Sequence, residues 1–163
     1  MTKPKKKQKA IPGPLLAAAL FCEQTVEGSD KAISCIRIAD TMNVQLPPEI
    51  PADLPSEEKR MPVAIRGFIS FRRGGARGKH HQLKLVMVAP NGKSAVMAEQ
   101  RITFSPEAYA TANLRFETVI GVYQSGVFWL IVNLDGKEYT RVPLNIVISR
   151  QPASDSGKHE NKP

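Results

Sequence analysis

The side chains best equipped for chemistry fall in one stretch, Arg72-Arg73-Gly74-Gly75-Ala76-Arg77-Gly78-Lys79-His80-His81. Three arginines, a lysine and two histidines sit among glycines that leave backbone N–H groups free, a composition suited to a phosphate or carboxylate ligand. The same composition describes a solvated connection between two strands, and no aromatic residue lies within it to stack a nucleic-acid base. Metal chemistry has less to work with. His80 and His81 are adjacent and point to opposite faces of a strand, His159 lies in the C-terminal segment, and neither Cys22 nor Cys35 is near a histidine in sequence. Asp30, Asp40 and Asp135 are single acids in separate loops, too few for a calcium clamp. There is no glycine-rich turn between a strand and a helix for a nucleotide, no serine on a nucleophile elbow and no pair of carboxylates in an apolar setting. The expectation is a protein that is not an enzyme, with no cofactor and no metal, although a scattered triad meets only in the fold.

Trp129 is the other candidate. On a strand it shares a face with Val127 and Ile131, opposite Phe128 and Leu130, so both faces of that strand are apolar. Either a second layer covers Trp129 or it belongs to an exposed patch for a partner, and the sequence reading expects a neighbouring loop to cover it. A third candidate is residues 43–62, where Pro47, Pro48, Pro51, Pro55 and Pro62 forbid helix and central strand. Such a long loop either contacts a partner or crosses one end of the fold as a polyproline connector.

The elements that must position these residues read as short strands. Residues 126–148 give the clearest one, two β-branched and aromatic runs joined at Asp135-Gly136, a dipeptide that turns hairpins. A two-residue turn sets Leu130 opposite Arg141; the reading adopted is a three-residue loop with a bulged, left-handed Gly136, setting Phe128 opposite Val142, so that both apolar faces enter one core. Residues 15–22 are open between helix and buried strand, and residues 33–39 read as a strand after a turn at 27–31. Further strands are expected at 63–71, 82–89, 94–97, 101–104 and 112–122, with a turn at Pro90-Asn91-Gly92 and one helical turn from Ser105-Pro106-Glu107 through Tyr109. Seven to nine strands without a long amphipathic helix point to an all-β fold, an antiparallel β-sandwich.

The chain has 163 residues and a formal charge of +8, of which Lys3, Lys5, Lys6, Lys7 and Lys9 supply five. Residues 149–163 add one more, leaving two for residues 10–148, so the basic character belongs largely to the start of the chain. The expected organisation is a disordered basic tail over 1–13, one domain over 14–148 and a disordered polar tail over 149–163. Pro12 and Pro14 interrupt the apolar run after the lysines, unlike a secretory signal, and no run reaches the ~20 apolar residues that span a bilayer. Cytoplasmic placement and buried free thiols follow as expectations.

Three segments carry a family resemblance: Ala19 to Asp40, an opening strand through Cys22-Glu23, a turn and an Ile/Ser-rich strand; Gly78-Lys79-His80 through Leu83, Leu85 and Pro90-Asn91-Gly92-Lys93; and the closing Gly126-Val127-Phe128-Trp129 hairpin ending in Val142-Pro143-Leu144. On these the chain resembles a family of small bacterial all-β domains of unknown function, immunoglobulin-like or C2-like sandwiches. The resemblance implies strand over residues 15–22 and transfers no activity, cofactor or catalytic residue. Two expectations follow for partners. One is a module that binds another protein through an exposed edge, its end loops or the face around Trp129. The other is an anion or nucleic-acid binder using the lysine-rich start and Arg72, Arg73, Arg77, Lys79, His80 and His81.

Overall fold

In the computed structural model, residues 13–51, 53–75, 80–107 and 110–150 are described. They contain nine strands and no helix: β1 (Leu15–Glu27), β2 (Ile33–Ile38), β3 (Thr41–Leu46), β4 (Met61–Arg72), β5 (His80–Val88), β6 (Ser94–Thr103), β7 (Thr111–Val122), β8 (Gly126–Leu134) and β9 (Lys137–Arg150). A four-stranded sheet has the order β2-β1-β4-β7 and a five-stranded sheet the order β3-β9-β8-β5-β6. The strand reading of residues 15–22 holds, and the chain is all-β as expected.

Both sheets supply one core. Ile65, Ile69 and Phe71 from β4 join Leu83 and Leu85 from β5, Leu130 from β8 and Leu144 from β9, all nearly or wholly buried. Period-two alternation makes this possible: along β4 and β8 every second residue is buried. Gly67 interrupts the β4 series for a steric reason. It pairs with Phe116 on β7, and a Cβ there would lie 2.3 Å from the Phe116 ring and 2.5 Å from the Leu20 carbonyl oxygen. The vacated space lets Phe116 lie over the β4 backbone and meet Phe21 edge-on at 6.0 Å.

Four expectations are corrected. First, the β8–β9 turn has two residues, Asp135 (φ 51°) and Gly136 (φ 76°), with Leu134 opposite Lys137. Both positive φ values belong to the turn whose twist matches that of a hairpin. The extra residue lies further along, where Asn133 faces Glu138 but Val132 faces Thr140. Leu130 therefore faces Val142, and Phe128 faces Leu144 rather than Val142. The bulge brings the two apolar faces into phase and frees Tyr139 to meet the Phe71 ring at 5.4 Å and donate to the Pro14 carbonyl at 3.1 Å.

Second, residues 43–46 and 61–62 belong to strands, not to the proline-rich loop: Met42, Val44 and Leu46 alternate toward the core before the prolines begin at Pro47, and Pro62 pairs with Gly121 on β7 where β4 has not yet met β1. Third, β3 runs parallel to β9, so the sheets are not wholly antiparallel. The chain leaves β2 in one sheet and enters β3 in the other after two residues, which carries it across the edge beside β9. Fourth, residues 105–107 form no helical turn; Ala110 N–H donates to the Glu107 carbonyl in a simple turn, and Tyr109 lies outside the described residues. The turns expected at 27–31 and 90–92 are present, closed by the Lys31 N–H on the Gly28 carbonyl and the Gly92 N–H on the Ala89 carbonyl, and β9 continues through Ser149 and Arg150, which were expected in the C-terminal tail.

Candidate interaction surface

Among the described residues of the stretch 72–81, the basic side chains have separate surroundings. Arg72 is exposed at the end of β4, opposite Thr111 and Leu15. Arg73 is turned to its own backbone: its guanidinium donates to the carbonyls of Pro106 and Glu107, and its N–H donates to the Ala110 carbonyl at 2.9 Å. Arg77 and Lys79 lie outside the described residues. His80 is exposed, with Nδ1 3.0 Å from the Thr103 hydroxyl across the β5–β6 pair.

His81 faces the other way, as adjacent strand residues must. It is 8% exposed, packs edge-on against Phe104 at 5.5 Å, and places Nδ1 2.6 Å from Asp135 Oδ2. The second carboxylate oxygen accepts the Gln82 N–H at 2.8 Å. Burial opposes ionisation of Asp135, but the His81 and Gln82 hydrogen bonds outweigh it and hold the carboxyl below its usual range. His81 Nε2 is buried and has no partner among the described residues. An imidazole so enclosed braces the β8–β9 turn against β5, and of the two histidines expected among the ligand-facing residues it is His80 that lies exposed. The partner Asp135 was missed because it is distant in sequence and reads there only as a turn residue.

Trp129 is 40% exposed, so the expectation that a loop covers it is also corrected. Its neighbours are fixed by register: Val88 on β5 and Pro143 on β9 lie directly opposite. One step along, Ile131 faces Val86, and Val86 faces Val96 on β6. Val127 is 39% and Val96 54% exposed. An apolar band thus crosses four strands on the outer face of the five-stranded sheet, rimmed by Arg141, Glu138 and Lys84. The reason it is not covered is topological: the loops nearest in sequence to β8 are a two-residue turn and a short link from β7.

The proline-rich loop is held as a connector at several points. Arg150 donates to the carbonyls of Ile50 and Pro51 at 2.7 Å each and to that of Leu54, while Glu57 pairs with Lys93. The Lys93 ammonium, through its hydrogen bond and its charge, holds the Glu57 carboxyl below its usual range.

One further feature has no signature in the sequence. The outermost strands β6 and β7 approach each other and line two hollows, of about 290 Å³ near Ile120 and about 480 Å³ near Leu114. Cys22 is buried and Cys35 half-buried, both free thiols; burial, and then the neighbouring Cys35, push the Cys22 thiol up. Among the described residues no group of three or more His, Cys, Asp or Glu could hold a metal ion, and no helix is long and apolar enough to cross a membrane.

No protein-family model matches the chain, and no curated protein matches it either. Among solved structures it is similar to the Pseudomonas fluorescens alkylpurine DNA glycosylase AlkC bound to DNA containing an abasic site analog. The identity is 11% and the TM-score 0.43, with 66% of this chain and 28% of that chain covered.

Proposed function

We propose that this chain is a non-enzymatic module that binds another protein through the outer face of its five-stranded sheet. The observation that carries the reading is the exposed band around Trp129, spanning β6, β5, β8 and β9. A large amphipathic ring, half exposed and set among β-branched side chains on a rigid sheet, is the usual anchor of a protein interface. We take the two sheets as an immunoglobulin-like β-sandwich over residues 14–148, acting in the cytoplasm; the single core shared by both sheets supports the one-domain part of this reading. The test is capture from host lysate on the full chain, with nuclease present. Binding partners retained by wild type should be lost from Trp129→Ala, its fold checked by circular dichroism, and retained by Arg72→Ala. Equal capture by Trp129→Ala and wild type would remove the reading.

A second reading is anion or nucleic-acid binding, favoured by the five lysines among the first nine residues and by exposed Arg72. It requires steep salt dependence, because each phosphate contact releases counterions. Salt-independent binding would exclude it.

A further inference from the structure

We propose that the free edge of β7 receives an extended segment of a partner protein, which adds as a strand within the cleft facing β6, with apolar side chains at one end and an acidic side chain at the other. The proposal rests on the reading of the chain as a protein-interaction module and assigns a site at the β7 edge, which shares Val96 with the rim of the Trp129 band.

Four strands end the two sheets, and three have the features that discourage strand pairing. β2 has six residues and is interrupted by Arg37 at φ 50°. β3 has six residues and runs straight into the proline-rich loop that Arg150 ties down. β6 is kinked by a register shift against β5 between Leu85 and Val86. β7 differs from all of them. Its twelve residues pair with β4 at every position from Thr111 to Val122, without a shift, a proline or a lysine. At ~3.4 Å per residue this is a straight edge of about 40 Å. On an antiparallel edge strand, alternate residues turn both N–H and C=O away from the one neighbour, and no strand among the described residues meets them. Main-chain bonds to such an edge supply affinity, and pockets for alternate side chains supply selectivity.

The two ends of the cleft ask for different side chains. Near Ile120 the wall is Met97, Phe128 and Ile120, with Val96 and Val119 exposed at the rim, 54% and 62%. Near Leu114 the walls carry Arg101 from β6 and Arg115 from β7. Arg115 is shared with Glu27 at 3.1 Å, and Arg101 has no bond to a described residue. An incoming strand therefore gains from apolar residues at the first end and a carboxylate at the second. The chain's own ends are poor occupants: residues 1–12 carry five lysines, which the arginines repel, and residues 151–163 contain no Val, Ile, Leu or Phe for the apolar end.

The experiment is selection of a displayed random dodecapeptide library on the immobilised full chain, followed by titration calorimetry of the enriched peptides and amide hydrogen exchange on β7. Expected are peptides alternating apolar and polar residues with an acid toward one end, which slow exchange at alternate residues of 111–122. Affinity should fall at least tenfold in Val119→Asp and in Arg101→Glu, both at exposed positions where folding is spared, and stay unchanged in Trp129→Ala. Failure to enrich any peptide overturns the proposal, as does binding that ignores both variants or self-pairing of the chain through β7. Peptides lost only in Trp129→Ala overturn it while leaving the interaction-module reading intact. Edge-binding peptides together with unchanged lysate capture by Trp129→Ala would do the reverse.

Discussion

His81 and Asp135 stand 54 positions apart in sequence and 2.6 Å apart in the fold. The pair shows what one strand residue can reveal and what it cannot. Adjacent histidines on a strand must face opposite ways, so that one of His80 and His81 points inward follows from spacing alone. Which one does, and what meets it, depends on the β8–β9 turn coming to rest against β5, a long-range fact with no local sign. Removing the acceptor leaves a buried ring nitrogen and the Gln82 N–H without it, so Asp135→Ala should destabilise the fold by about 1–3 kcal/mol in denaturant unfolding. Asp135→Asn, which tolerates the positive φ and keeps one carbonyl oxygen, should cost less. The pH dependence has a definite sign. The folded-state value of Asp135 is depressed, so the unfolded chain binds more protons, and the carboxylate's contribution is complete above ~4 and lost as pH falls through the folded value. Between pH 5 and pH 3 the wild-type midpoint should therefore fall more than that of Asp135→Asn. Gly67 gives a second test at this scale. Because an added Cβ meets the Leu20 carbonyl and the Phe116 ring at once, Gly67→Ala should cost about 1–3 kcal/mol by overpacking.

At the scale of elements, local patterning exposed most of the strands and little of their pairing. Alternation and turn chemistry located the hairpin at Asp135-Gly136 but favoured a three-residue loop over the two-residue turn, because the bulge that brings the apolar faces into phase has no sign at the turn itself. The bulge around Tyr139 was not legible, because its reason lies on the other sheet: it delivers the tyrosine ring to Phe71 and its hydroxyl to Pro14. β3 was hidden for a similar reason. Only six residues long, it stands next to a proline run and is stabilised by parallel pairing with β9, a hundred residues away in sequence. Two measurements probe this hairpin. Gly136→Ala at φ 76° should cost about 1–2 kcal/mol, read as a lower unfolding midpoint with an unchanged denaturant slope. Tyr139→Phe should lose about 1 kcal/mol through the single hydrogen bond while leaving the ring contact. If Tyr139→Phe matched the loss in Tyr139→Ala, the ring contact with Phe71 would contribute nothing to joining the sheets.

At the scale of the molecule, the two surfaces proposed for partners arise from sheet order, which no window of sequence reports. The Trp129 band needs β6, β5, β8 and β9 side by side; the β7 cleft needs the outermost strands of two sheets to approach each other. Charge is distributed differently, since residues 1–9 contribute +5 of the net charge of +8. The apolar surfaces and the basic character are thus on separate parts of the chain and can be separated by truncation. Deleting residues 1–9 lowers the formal charge from +8 to +3 and leaves every described strand intact. If each of the five lysines meets a phosphate, the logarithm of nucleic-acid affinity should fall against the logarithm of salt concentration with a slope that loses about 4–5 on truncation, at ~0.9 per contact. Filter binding of the two proteins to a duplex between 50 and 200 mM salt, the range in which such slopes are read, checks this directly. Protein capture through Trp129 should survive the same truncation, because burial of an apolar ring depends on area and not on distant charge. A slope that truncation leaves unchanged would move any nucleic-acid contact onto Arg72 and its neighbours; loss of capture on truncation would tie the lysines to the protein partner and leave the Trp129 band insufficient by itself.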